Sequence, residues 1–316
     1  MINRENWKLT RRYLAYRQAR VSKRTVLTDK SGLKHMLEWA DSVSFFRADQ
    51  LQPLPAYLVD GFGFSYVYQM RVGYVAIKFV EWLRSSQPKR SSRLNDLWAK
   101  SLLPRRQDDT VGNMDPYTID EIRQLCAVPA PGLITARTQA AVAMLFLSGM
   151  RSGAFVTLPI ECVDLALGEI WQWPDRGVDT KNRKRATTFL LNIPDLLDVA
   201  RRWDDMIRPV LPPWDAWYAY VAKDGTAITG GVASRNRGPG LACDLRRLCD
   251  LAGVRYRRPH DIRHGHATYA ITQCNDMATY KAISINLMHG SITITDQVYV
   301  NMAAADVKRR VESIGG

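Results

Sequence analysis

Residues 140–147 are apolar at every position. As a helix this stretch is hydrophobic all round, and such a helix belongs in the middle of a core. The pattern predicts a buried helix over about 136–147, around which the neighbouring chain must wrap. Gly149 follows where a left-handed cap ends a helix. Arg151, in Leu147-Ser148-Gly149-Met150-Arg151, then stands at a helix–turn–helix corner, where a solvated charge is out of place. The apolar run is the longest in the chain and falls well short of the ~20 residues of a membrane span, so no membrane partner is expected.

A chain of 316 residues is long for one domain and predicts two. Residues 28–103 read as a bundle of about four helices. Leu33, Met36, Leu37 and Ala40 recur at helical spacing, as do Val72, Val75, Ala76, Phe79, Val80 and Leu83. Pro53 and Pro55 interrupt between them, and Gly61 and Gly63 mark a turn. Residues 104–115, with Arg105-Arg106-Gln107-Asp108-Asp109, are polar and charged and form the linker candidate. A second domain over 116–302 opens on Thr118-Ile119-Asp120-Glu121, the pattern of a capping box. Strand signals at 169–173 and 187–191 flank a polar loop at 175–185, which reads as a β-hairpin. Helices are expected at about 241–252 and 260–273, while 204–240, rich in Pro, Trp and Gly, is placed only loosely. A tail helix over 303–316 carries Val307, Val311 and Ile314 on one stripe, with Lys308, Arg309 and Arg310 opposite, and suits a subunit contact.

The formal net charge of +13 suits a polyanionic partner. Residues 1–24 hold eight Lys and Arg against the single Glu5, with Trp7, Tyr13 and Tyr16 interleaved. The segment 1–27 therefore reads as a basic helix or arm, with Arg11 and Arg12 among its phosphate contacts, or else as a solvated tail. Trp7-Lys8-Leu9-Thr10-Arg11-Arg12 lacks the apolar core of a secretion signal. Five scattered cysteines form no C-x-x-C pair, which points to reduced thiols in a cytoplasmic compartment.

One set of residues stands out by its order. After Arg151 comes Lys181 in Asp179-Thr180-Lys181, with Arg183, Lys184 and Arg185 beside it. His260, Arg263 and His264 share Pro259-His260-Asp261-Ile262-Arg263-His264; His289 opens His289-Gly290-Ser291-Ile292, and Tyr299 follows ten residues later. Two arginines, a lysine and two histidines can surround one phosphate, and a tyrosine hydroxyl can attack it. Guanidinium is planar and bidentate toward phosphate oxygens. His260 and Arg263, three apart on a helix started by Pro259, share a face near amides that favour an anion. A phenol ionises only near pH 10 in isolation, and surrounding cations favour its phenolate. No acidic cluster accompanies the set, so neither metal nor other cofactor is expected. His260 and His264 have the i, i+4 spacing of a zinc protease helix. That pattern wants glutamate where Asp261 stands, and no third ligand is evident. His266 reads as structural.

At these residues the chain resembles the tyrosine recombinase (phage integrase) family, whose pattern is Arg, Lys on a β-hairpin, His-x-x-Arg-His, His and Tyr. The resemblance covers roughly 115–305 and is densest from Ala252-Gly253-Val254 to Ala267-Thr268. It implies an α+β protein: an N-terminal helical core-binding domain and a C-terminal, mostly helical catalytic domain with a small antiparallel sheet. It implies Tyr299 as nucleophile, ahead of Tyr280 and Tyr269, and Arg151 and Arg263 as the phosphate clamp. His260 would transfer a proton with the tyrosine, His289 would bond a non-bridging oxygen, and His264 would support the site. Lys181, ahead of its neighbours Lys184 and Arg183, would be general acid for the leaving 5′-oxygen, with Arg183, Lys184 and Arg185 contacting DNA nearby. The implied reaction is site-specific recombination through a 3′-phosphotyrosine, without ATP or metal. It would take place on double-stranded DNA bearing inverted repeats, in a homotetramer, for integration, excision or resolution of a mobile element in the nucleoid. A type IB topoisomerase-like relaxing enzyme and a DNA-binding regulator without catalysis are the alternatives. Two positions depart from the family: Ala154 stands where an acidic residue is common, and Met288 where a glycine is usual.

Overall fold

A computed structural model describes residues 2–105, 115–130, 132–222, 224–274 and 276–288. The chain divides into two compact units, 1–112 and 113–316. The tail 303–316, most of the candidate linker, His289 and Tyr299 lie outside the described residues.

The first unit is helical. Its elements are α1 (Arg4–Gln18), α2 (Lys23–Ala40), α3 (Leu54–Phe62), α4 (Tyr66–Ser86) and α5 (Asp96–Lys100), with a 3-10 stretch at Phe45–Gln50. The apolar stripes of α2 and α4 face each other and bury Leu33, Met36, Val72, Ala76 and Phe79. The basic segment 1–27 is not separate from this bundle. Asn3 caps α1 by accepting the amides of Glu5 and Asn6, and Leu9 and Tyr13 enter the core. Tyr13 packs edge-on against Phe79, which packs likewise against Phe45. Of the aromatics spaced among the basic residues of this segment, Tyr13 is buried, whereas Trp7 and Tyr16 stay exposed. Arg17 is also spent internally, on the buried Asp29 of α2 at 2.8 Å.

The second unit is built around one helix. Its elements are α6 (Ile119–Ala127), α7 (Leu133–Ser148), α8 (Ser152–Phe155), β1 (Val163–Asp164), β2 (Glu169–Gln172), β3 (Ala186–Phe189), α9 (Pro194–Ile207), β4 (Tyr220–Val221), β5 (Ile228–Thr229), α10 (Gly238–Ala252), α11 (Pro259–Thr272) and α12 (Met277–Asn286). Every residue of α7 from Arg137 to Ser148 is buried, and α6, α9, α10 and α11 pack around it. The buried polar side chains of α7, Arg137, Thr138, Gln139 and Ser148, each make hydrogen bonds. Gln139 donates to the carbonyls of Leu125, Cys126 and Val128, closing the end of α6. Arg137 donates to the Ala219 carbonyl and pairs with Asp244 at 2.8 Å. The sheet is antiparallel in the order β1-β2-β3, with Ile170 opposite Val163 on one side and Thr188 on the other. The fold is α+β, mostly helical with small antiparallel sheets.

The loosely placed 204–240 stretch supplies core. Trp217 and Tyr218 are buried. The Trp203 indole donates to the Trp217 carbonyl, and the Trp217 indole donates to Asp204 at 2.8 Å. Reciprocal bonds between residues on α9 and on the following segment hold a stretch whose paired strands, β4 and β5, are only two residues each. Among the described residues no helix is long and apolar enough to cross a membrane.

Close packing of α11 on the start of the unit depends on Gly265. A Cβ there would run into the backbone carbonyl of Tyr117, which has no flexible end to yield. Gly265→Ala is expected to destabilise the second unit by about 3 kcal/mol, at the upper end of overpacking costs. Urea unfolding monitored by tryptophan fluorescence checks this; a change under about 1 kcal/mol would show that the contact relaxes freely.

Candidate active site

The site starts from the end of α7. A helix leaves its last four carbonyls without intrahelical donors, and buried ones must be satisfied elsewhere. Here Gly149, left-handed at φ 60°, turns its amide back to the Leu145 carbonyl. The Phe146 carbonyl accepts from His266 Nδ1 at 2.5 Å, and the Leu147 carbonyl from the Leu191 amide at 2.9 Å. The Gly149 carbonyl, just past the helix, accepts Arg263 Nη1 at 2.6 Å, while Arg263 Nη2 donates to the Leu287 carbonyl at 2.6 Å. Gly149 is required here twice over: by its positive φ, and because a Cβ would lie 2.5 Å from the His266 ring.

Arg151 leaves this turn as the N-cap of α8 and is half-buried. Among the described residues its side chain has no hydrogen-bond or ion-pair partner. Burial lowers its pKa from the usual guanidinium value. Arg263 is pushed down to about 9, by burial first and then by the charge of Arg151. Two guanidinium groups that feel each other, with no carboxylate between them, make a pocket that gains from an anion. Of the five N–H donors of a guanidinium, Arg263 spends two on backbone carbonyls and keeps the rest.

His260 stands one turn before Arg263 on α11. Its pKa falls to about 4, chiefly by burial and then by His264, Arg263 and Arg151, against an opposing pull from Asp261. Although the residue as a whole is exposed, its ring is held neutral at pH 7 and can accept a proton. His264 packs edge-on against it at 4.8 Å between centroids and is lowered as well, again chiefly by burial. Asp261 bends back to accept the Arg258 amide at 3.0 Å, so it caps α11 and is not placed as a metal ligand. Among the described residues no group of three or more His, Cys, Asp or Glu could hold a metal.

The start of α11 is fixed by residues that the sequence reading passed over. The Tyr117 hydroxyl donates to the Arg257 carbonyl and accepts the Arg257 amide. The Arg257 guanidinium pairs with Asp115 and Glu121 at 2.8 and 2.9 Å. In sequence Arg257 is one of four adjacent Arg or Tyr residues, and nothing there separates it from its neighbours.

Lys181 is exposed in the connection between β2 and β3 and is not on a strand. It opens a 3-10 turn, Lys181–Arg183, in which Asn182 and Arg183 have φ of 60° and 53°. Among the described residues no interaction joins its side chain to Arg151, Arg263 or His260. Arg183, Lys184 and Arg185 are exposed beside it. Arg185 is not free: its guanidinium lies 4.0 Å from the Trp173 ring centre and 3.4 Å from Asp175. Arg11 and Arg12 are exposed on α1, in the other unit, where Arg12 lines a cavity of about 780 Å³ with Arg4, Lys8 and Arg90.

No family model matches the chain. The tyrosine recombinase XerC of Serratia marcescens is 25% identical over 191 residues, 58% of this chain and 54% of that protein. The chain thus spans about half the length of the curated relatives it matches. The Tn1549 transposon integrase, solved with transposon right end DNA, superposes at a TM-score of 0.67 with 13% identity over 100% of both chains. A lambda integrase dimer bound to a COC′ core site gives 0.62 with 11% identity, over 96% and 97%.

The chain is similar in sequence to tyrosine recombinases and shares their fold.

Its two departures from that family now have a physical reading. Met288, where glycine is usual, has φ 53°, in the left-handed region that glycine enters without cost. Its amide still donates to the Ile285 carbonyl, ending α12 just past the carbonyl that Arg263 holds. Ala154, where an acidic residue is common, is buried, consistent with Arg151 lacking a carboxylate partner.

Two outcomes are expected. Met288→Asn should be tolerated, whereas Met288→Val should cost about 2 kcal/mol, because a β-branched residue is strained at positive φ; equal unfolding midpoints would refute this. His266 is buried with its pKa lowered to about 4, chiefly by burial, and its Nε2 is unpartnered among the described residues. A histidine lowered on folding contributes fully above its ordinary pKa, and that contribution is lost as pH falls toward the folded value. His266→Phe should therefore flatten the decline in stability from about pH 6.5 to pH 4 by up to roughly 3 kcal/mol. Parallel stability–pH curves for the variant and the wild type would exclude this assignment.

Proposed function

We propose that this protein cuts and rejoins DNA by tyrosine-type strand transfer, as a site-specific recombinase. The observation that carries the reading is the Arg151–Arg263–His260 group: two unneutralised guanidinium groups beside a neutral imidazole, presented by the turns at the end of α7 and the start of α11. Such a group fits a phosphodiester whose non-bridging oxygens gain charge in the transition state. The curated relative's name and the DNA bound to the structural neighbours support the same substrate.

In this reading the Tyr299 oxygen attacks a scissile phosphate. The Tyr299–phosphorus bond forms, the bond to the 5′-oxygen breaks, and a 3′-phosphotyrosine results. His260, neutral at pH 7, takes the phenol proton. Arg151, Arg263 and His289 hold the non-bridging oxygens, and Lys181 protonates the leaving 5′-oxygen. The 5′-hydroxyl of the partner strand reverses the step, so the bond energy is conserved and neither ATP nor metal is needed. Double-stranded DNA with inverted repeats is the substrate, a homotetramer the working assembly, and the nucleoid the place of action. Unit 1 serves as the core-binding domain, with Arg11 and Arg12 on DNA, and Arg183, Lys184 and Arg185 contact it from the hairpin.

Tyr299→Phe should bind half-site DNA normally and form no covalent adduct on a nicked suicide substrate resolved by denaturing gel. Adduct from that variant would transfer the role to another tyrosine, Tyr280 first. Arg151→Ala should lower cleavage by roughly 10²-fold or more with little change in stability, since its side chain holds no partner among the described residues. Arg263→Ala should lose cleavage and also about 2 kcal/mol of stability, because two buried carbonyls lose their donor. Cleavage should persist in EDTA; loss in chelator reversed by Mg²⁺ would overturn the metal-free mechanism.

A further inference from the structure

The hairpin connection that carries Lys181 is latched to the rest of its unit. Thr157 is buried just after α8, and its hydroxyl donates to the Ala154 carbonyl at 2.9 Å. The same oxygen accepts the Asp179 amide at 2.8 Å. One hydroxyl thus joins backbone three residues beyond Arg151 to backbone two residues before Lys181. The Asp179 carboxylate is ion-paired with Arg235, from the 3-10 turn Arg235–Arg237 that leads into α10. Thr180 then donates its hydroxyl to the Lys184 carbonyl at 2.6 Å, closing the loop across the lysine. Two successive residues at positive φ, Asn182 and Arg183, turn the chain back at this point.

The result is a loop whose base is fixed on two sides while the Lys181 side chain stays exposed. A general acid needs both properties: a fixed origin, and an ammonium group free to reach its target. Thr157 is buried and Asp179 repels phosphate, so neither is placed to bind one, and the exposed Arg235 is paired with Asp179.

We propose that Thr157 and the Asp179–Arg235 pair are positioning residues that hold Lys181 for protonation of the leaving 5′-oxygen. This rests on the strand-transfer reading above. In the step concerned, the Tyr299–phosphorus bond forms and the phosphorus–O5′ bond breaks. The electron pair leaves on O5′, which takes its proton from Lys181 Nζ. Replacing that bridging oxygen with sulfur removes the need for the proton, because a thiol ionises near roughly pH 8.5 and leaves as thiolate.

The experiment compares covalent adduct formation on a normal and a 5′-bridging phosphorothiolate suicide substrate. Thr157→Val keeps the shape and removes the acceptor of the Asp179 amide. It should slow cleavage of the oxygen substrate by roughly 10-fold or more and of the sulfur substrate by less than about 2-fold, since geometry of the acid alone is disturbed. Thr157→Ser should restore the oxygen rate. Asp179→Ala and Arg235→Ala, placed toward solvent, should show the same oxygen-only defect at about 3-fold or more, and they report even if the buried substitution fails to fold. Half-site affinity should not change. Equal slowing on both substrates would make the latch merely structural, and no slowing on either would make it irrelevant; each overturns the proposal. Wild-type protein that forms no adduct with either substrate would overturn the strand-transfer reading itself, and the positioning role with it.

Discussion

The guanidinium of Arg263 is the tie on which the site depends. It reaches from α11 to the carbonyl of Gly149 at the end of α7 and to the carbonyl of Leu287 at the end of α12. Burying a charge is costly unless the group is hydrogen-bonded, and burying a carbonyl is costly unless it finds a donor. Arg263 answers both demands with two bonds and still keeps N–H donors. The three segments it joins are those from which Arg151, His260 and the chain leading to His289 emerge. His266, one turn further along α11, repeats the device on the Phe146 carbonyl. The geometry of the corner is therefore set by how a buried helix disposes of its last carbonyls.

The same corner is electrostatically unfinished. Arg151 and Arg263 disfavour each other's charge, and His260 is kept neutral by burial and by both of them. A chain selected for stability alone would place a carboxylate there. The protein instead carries a buried Ala154 after Arg151 and uses Asp261 to cap α11. Local rules broken without local compensation mark candidate functional sites, and here the missing compensation is a negative charge. Met288 is a second broken rule, a non-glycine residue at positive φ beside a carbonyl that Arg263 holds.

The basic character of the chain divides in the same way. Arg17, Arg137 and Arg257 are consumed in ion pairs with Asp29, Asp244, Asp115 and Glu121, and they hold helices together. Arg11, Arg12, Lys181, Arg183 and Lys184 stay exposed. A net charge of +13 counts both kinds alike. Burial and partnership separate them, and those depend on residues on other elements, 107 positions away for Arg137 and Asp244.

What the sequence determined was local or periodic. The apolar run at 140–147 could only be a central helix, and Gly149 could only end it, because both follow from the chemistry of neighbouring residues. The Thr118–Glu121 capping box forms as its spacing predicts, and His260 and Arg263 share a helix begun by Pro259. The two strands of the hairpin were also legible from their composition. Tertiary structure alone decided the rest. It drew α1 into the first bundle, since Leu9 and Tyr13 read as part of a basic segment until a core exists to receive them. It gave the irregular 204–240 stretch its place through the Trp203, Trp217 and Asp204 bonds. It latched the loop in which the sequence had placed Lys181, and it chose Arg257 and Thr157 as supports. Each of these choices rests on contacts between residues far apart in the chain. A pattern read along the sequence carries propensities, whereas burial and hydrogen-bond satisfaction are properties of the packed whole.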